Sequence, residues 1–86
     1  MSTAEVRNLR VCPGGYAFRI SAGPKAFQQA VNRLKQDIPH GPGGRIWDDE
    51  YKIWFVSNAF EKVLTQTFRN FESSKAAILA QATLPL

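Results

Sequence analysis

The 86-residue chain predicts an α+β domain: a four-stranded antiparallel sheet made of two hairpins, with two helices on one face, in the order ββαββα. Three observations carry that expectation. Two pairs of short segments rich in β-branched and aromatic residues flank turn signals, each pair is followed by a stretch with apolar residues every three or four positions, and both stretches have a single apolar stripe.

The first pair is "VRNLRV" and "YAFRIS" around "CPGG", a Pro-Gly turn between two strands. Placing Val11 opposite Tyr16 sets Leu9 opposite Phe18 and Arg7 opposite Ile20 on an oily face. Arg10 with Ala17, and Asn8 with Arg19, then fill a basic one. Pro24 suits a first helical position, and Phe27, Ala30, Val31, Leu34 and Ile38 form the stripe of a helix that Pro39 ends. "HGPGG" reads as a flexible connector.

The second hairpin is "RIWDDEYKIWFVS". Pairing Trp47 with Lys52 places Ile46 opposite Ile53 and Arg45 opposite Trp54, and makes Ile46, Ile53 and Phe55 the core face. Ser57 or Asn58 is the expected cap of a helix running through "AFEKVLTQTFRNF", with Phe60, Val63, Leu64, Thr67, Phe68 and Phe71 along its stripe. The predicted core joins Phe27, Val31, Leu34, Ile46, Ile53, Phe55, Phe60, Leu64 and Phe68. Residues 1–72 make the single domain, and 73–86 are a helical or flexible tail that extends the second helix or restarts at Ser73 or Ser74.

With both helices on one side, the other side of the sheet stays open, which antiparallel sheets tolerate. That face is expected to carry Asn8, Arg10, Arg19, Arg45, Trp47, Lys52 and Trp54. Indoles that stack bases and cations that hold phosphates make it a candidate nucleic-acid surface, each stacked base contributing about 1 to 3 kcal/mol. A second reading stands beside it. Tryptophan in so small a domain is often core, an Arg opposite a Trp is often a plain cation-π pair, and a slip of register exchanges the two faces.

Composition limits the function classes. Net charge is +4, with 11 basic and 7 acidic residues, so the field favours polyanions. The single cysteine, Cys12, allows no intramolecular disulfide and no structural zinc site, and fits a reducing compartment. The N-terminus has no signal-type apolar region, and no run reaches the roughly 18 apolar residues of a membrane span, so a cytoplasmic protein without membrane partners is expected. His40 lies in a Pro-Gly loop, Asp48, Asp49 and Glu50 read as a solvated turn, and no P-loop of the G-x-x-x-x-G-K-[ST] form occurs. No enzyme and no cofactor are expected.

The spacing R-x-W-D-x-x-x-K-x-W-x-V, formed by Arg45, Trp47, Asp48, Lys52, Trp54 and Val56 after a helix ending "DIP", resembles part of the HARP-type accessory domain of annealing helicases, over about residues 25–60. "HGPGG" lengthens the link before Arg45 relative to that pattern. The resemblance implies binding to structured or single-stranded DNA without catalysis.

Two functions follow from these readings. One is a small non-enzymatic nucleic-acid-binding module for single-stranded or junction DNA. The other is a protein–protein interaction or assembly module using the same face, with homo-oligomerisation through a sheet edge or the "AAILAQA" segment. Salt separates them, because phosphate contacts weaken steeply as salt rises and apolar burial does not.

Overall fold

A computed structural model describes residues 4–82. Strands β1 (Glu5–Cys12) and β2 (Gly15–Ser21) precede helix α1 (Pro24–Asp37), and β3 (Arg45–Asp48) and β4 (Ile53–Ser57) follow it. A 3-10 turn over Asn58–Phe60 leads into α2 (Glu61–Thr67), and α3 spans Phe71–Ala82. The strands form one antiparallel sheet in the order β1-β2-β4-β3, with the two hairpins joined through β2 and β4. The α+β class and the two-hairpin sheet are as the sequence predicts.

Pro13 and Gly14 close the first hairpin as a two-residue turn. Gly14 sits at φ +83°, where a Pro-Gly pair forms a type II turn at little cost. Beside it, Gly15 is obligatory for a different reason: a Cβ there would lie 2.4 Å from the Val56 carbonyl oxygen. Ser57 caps the 3-10 turn, its Oγ accepting from the Ala59 N–H at 3.2 Å.

All three helices cover one face of the sheet. Leu34 of α1 and Ile38 just after it, Leu64 of α2, and Phe68 and Phe71 pack on Val6, Tyr16, Phe18, Trp54 and Val56. Val31, Leu34, Leu64 and Phe68 are therefore buried as expected, and Phe60 packs half-buried against them. Phe27 and Ile46 are instead 41% and 42% exposed, while Ile53 and Phe55 are half-buried on the opposite face.

The second hairpin thus faces the other way from expectation. Its register places Trp47 opposite Trp54, Ile46 opposite Phe55 and Arg45 opposite Val56. The loop between them runs over four residues, with the Asp48 carboxylate accepting from the N–H groups of Glu50 and Tyr51 and with Lys52 at φ +56°. A slip of two preserves which residues share a face, so the inversion has another cause. It lies in the ladder to β2, where Trp54 is opposite Phe18 and Val56 opposite Tyr16. Tyr16 and Phe18 are the apolar side of β2, Gly15, Ala17 and Arg19 the other, so β2 dictates which side of β4 meets the helices.

The second helical stretch is broken between Thr67 and Phe71. Asn70 explains the break: its carboxamide accepts from the Val6 N–H at 2.8 Å and donates to the Val6 carbonyl at 3.0 Å. One side chain thereby pairs both backbone groups of an edge-strand residue. Arg69 adds a backbone bond to Ala4 and a 2.9 Å ion pair with Glu5. α3 restarts at Phe71, before the Ser73 or Ser74 expected from sequence, and carries the tail in helical form to Ala82; residues 83–86 lie outside the described residues.

The connector "HGPGG" is tightly bonded rather than loose. Arg45 N–H donates to the Pro39 carbonyl at 2.8 Å, Gly41 N–H to Arg45 at 2.9 Å and Ser57 N–H to Gly44 at 2.8 Å. Gly44 is packed so closely that a Cβ would meet the Pro39 carbonyl at 2.0 Å.

Candidate functional site

The open face of the sheet is set by its register. One row crosses Arg10, Ala17, Phe55 and Ile46 from the β1 edge to the β3 edge, and the pairs Arg7 with Arg19 and Ile53 with Asp48 lie on the same face by alternation along the strands. Basic residues thus gather at the β1–β2 end, with aliphatic and aromatic carbon in the middle and a carboxylate at the far edge.

Arg7 and Arg10 share this face because β1 is bulged. Three positions apart, they would lie on opposite faces of a regular strand. Their partners Arg19 and Ala17 are only two apart, so Asn8 and Leu9 together stand opposite the single residue Phe18. Asn8 takes the left-handed conformation at φ +55°, which asparagine tolerates better than most residues. The bulge turns Leu9 toward the core, leaves Asn8 exposed and re-aims Arg7 outward.

Three guanidinium groups result on one solvent-facing surface. Among the described residues the side chains of Arg7 and Arg10 have no hydrogen bond or ion pair, and Arg19 uses one donor, Nη2, on the Tyr51 carbonyl at 3.0 Å. A guanidinium offers five N–H donors, so most of this capacity faces water. Two of them, Arg10 and Arg19, line a depression of about 390 Å³ together with Asn8, Ala17, Tyr51 and Ile53. Ala17 contributes a small side chain to it, and its cross-strand neighbour Phe55 has its ring tip beside Gly15, 2.9 Å from where an added Cβ would lie.

Of the residues expected on the open face, Asn8, Arg10 and Arg19 are there, and they line one depression. Arg45, Trp47 and Trp54 are not. Trp54 is 6% exposed and belongs to the core, because its partner Phe18 faces the helices. Trp47 stands beside it on the same face, 40% exposed, its indole N–H 3.4 Å from Asp49. Arg45 is half-buried and donates Nε to the Ile38 carbonyl at 3.1 Å, satisfying the end of α1. Lys52 is exposed in the β3–β4 loop and pairs with Asp49 at 2.8 Å; this pair and the Trp47 contact hold the Asp49 carboxyl below its ordinary range.

Sequence reasoning missed Arg7 and Tyr51. For Arg7 a signal existed, since Arg-Asn-Leu-Arg places a left-handed-tolerant residue where a bulge would bring both arginines together. For Tyr51, 58% exposed in the loop, nothing local shows that Arg19 will hold that loop beside the depression.

No family model, curated protein or solved structure matches the chain. The geometry of its own residues therefore carries the functional argument.

A second polar cluster lies on the helix side. The Tyr16 hydroxyl donates to Glu61, whose other oxygen accepts from Lys75 Nζ at 2.7 Å, and that ammonium stands 5.6 Å from the Tyr16 ring centroid. The Lys75 hydrogen bond, then that of Tyr16, holds the Glu61 carboxyl below its ordinary range. Burial, then Glu61, raises the Tyr16 hydroxyl. With Tyr16 packed edge-on against Phe71 at 5.1 Å, the cluster ties β2, α2 and α3 together. Its groups are all mutually satisfied, as a brace requires.

Among the described residues no group of three or more His, Cys, Asp or Glu side chains is placed to hold a metal ion, and no helix is long and apolar enough to cross a membrane. The open face can gather anionic groups on its arginines and lay flat apolar groups against Ala17 and Ile53.

Proposed function

We propose that the chain is a small nucleic-acid-binding module, for single-stranded or junction DNA, that binds on the open sheet face and has no catalysis of its own. One observation carries this: the bulge at Asn8 brings Arg7, Arg10 and Arg19 onto one exposed surface with most of their donors unused. Arginine without a carboxylate partner suits phosphate, which it can meet with paired donors. A positive field from the net charge of +4 assists capture. The site is Asn8, Arg10 and Arg19 with the addition of Arg7 and Tyr51, and it works in the cytoplasm.

The spacing that resembles HARP-type domains supports this reading through scaffold rather than contact. Arg45, Trp47, Lys52 and Trp54 form the hairpin, its loop and part of the core, so on this reading a shared spacing signifies a shared frame whose other side binds.

The test is anisotropy of a labelled oligonucleotide at several salt concentrations. Affinity should fall steeply with salt, and Arg7→Ala and Arg10→Ala should each reduce the slope by about 0.7 for a single strand, the share of one phosphate contact. Folded variants with unchanged affinity and slope would remove the proposal.

A protein-interaction reading rests on Ile46, exposed beside half-buried Phe55 and Ile53. A partner that buries this apolar half should be lost on Ile46→Asp and be indifferent to salt. A second copy of the chain is one such partner, and sedimentation that shows a concentration-independent monomer would exclude it.

A further inference from the structure

The depression over Ala17 has a shape and a polarity that a phosphate surface does not need. Phosphates require only accessible cations, and Arg7 provides one outside the depression. Here, however, the apolar residues Ala17 and Ile53 share the lining with Arg10 and Arg19. Its volume of about 390 Å³ falls within the usual range of small-ligand sites. Asn8, whose carboxamide makes no hydrogen bond among the described residues and so has both donor and acceptor to offer, lines it as well, as does the exposed Tyr51.

A planar group with apolar faces, a hydrogen-bonding rim and an anion on each side matches these features. That is one nucleotide base within a strand. We infer that the depression over Ala17 seats a single unpaired base, its face on Ala17 and Ile53, its edge toward Asn8, with the flanking phosphates on Arg10 and Arg19. This rests on the nucleic-acid reading of the face and adds the means by which a single strand is told from a duplex. A base inside a duplex has both faces covered by stacking and cannot lie on Ala17 and Ile53, so duplex DNA reaches only the arginines. Selection of single strands over duplex therefore comes from the depression, and overall affinity comes from the arginines.

The experiment measures a labelled oligothymidylate and a duplex of equal length against the wild-type protein, Ala17→Leu and Arg10→Ala. Ala17 is half-buried and lines the depression, so leucine extends into the depression rather than into the core. Ala17→Leu should weaken the single strand by about fivefold to a hundredfold, the size of one stacked base, and leave duplex affinity and both salt slopes alone. Arg10→Ala should weaken both ligands and flatten both slopes. An abasic strand of the same length, offered to the wild-type protein, should bind as weakly as the normal strand binds Ala17→Leu, a readout independent of how any variant folds. Equal binding of the abasic and normal strands would overturn the base seat while leaving the arginine face intact. If Arg10→Ala also left both ligands unchanged, the nucleic-acid reading itself would fail.

Discussion

Trp47 and Trp54 stand opposite one another across the β3–β4 ladder with ring centroids 4.8 Å apart and planes inclined at 49°, and both point toward the helices. Trp54 is closed in by Phe18 and the core, and Trp47 covers its outer side while remaining 40% exposed. The pair is the end wall of the core.

Trp54→Ala should accordingly cost about 3 to 5 kcal/mol, as truncation of a buried aromatic usually does. Trp47 is 40% exposed, so Trp47→Ala should cost less, about 1 to 3 kcal/mol from its partial burial and the aromatic pair together. Phe55→Ala, on the open face, should cost less than Trp54→Ala. Urea denaturation measures all three, and a larger loss at Phe55 than at Trp54 would reverse the assignment of faces.

The bulge in β1 gives a separate prediction. Asn8→Val should cost about 1 to 2 kcal/mol, because a β-branched residue resists the left-handed conformation, whereas Asn8→Gly should hold the fold. If valine proves neutral by thermal unfolding, Asn8 is not the residue that keeps Arg7 and Arg10 on one face.

Asn70→Ala should destabilise by about 1 to 3 kcal/mol by leaving the Val6 N–H and carbonyl without their partner. Asn70→Asp keeps the acceptor for the N–H but loses the donor, so its loss should remain. Hydrogen exchange at Val6 reads the same event directly, and protection unchanged in Asn70→Ala would refute the bridging role.

The brace on the helix side makes stability depend on pH at both ends of the scale. Glu61 titrates below its ordinary 4.5 in the folded chain, so its contribution is present above that value and is lost as pH falls through the lowered one. Lys75 and Tyr16 titrate above 10.5 and 10.0, so theirs are present below those values and lost as pH rises through the raised ones. Glu61→Gln should therefore reduce stability at neutral pH and flatten its decline in acid. An acid limb as steep as that of the wild type in urea titrations would exclude Glu61 as its source.

Gly15→Ala should be destabilising by about 1 to 3 kcal/mol, since the new methyl meets the backbone carbonyl of Val56, which cannot move without disturbing the β2–β4 ladder. Equal denaturation midpoints for the two proteins would show that the ladder yields.

The order of the strands and α1, the Pro-Gly turn and the start of α1 at Pro24 were legible in the sequence, because each depends on residues within a few positions of one another; the cap expected at Ser57 or Asn58 for the second helix falls instead at Ser57 on the preceding 3-10 turn. Also legible were the sets of residues sharing each face of β3 and β4, since alternation survives a slip of two. Which set lies inside was not legible there, because both sets are apolar: Ile46, Ile53 and Phe55 on one side, Trp47, Trp54 and Val56 on the other. The β2–β4 ladder decided it by placing Trp54 and Val56 against Phe18 and Tyr16, whose own strand has only one oily side. The convergence of Arg7 with Arg10, and the break that frees Asn70 to pair with Val6, were likewise tertiary decisions. Each exchanges regular local geometry for contacts with residues far along the chain, and a local pattern has no means of recording where those distant partners will stand.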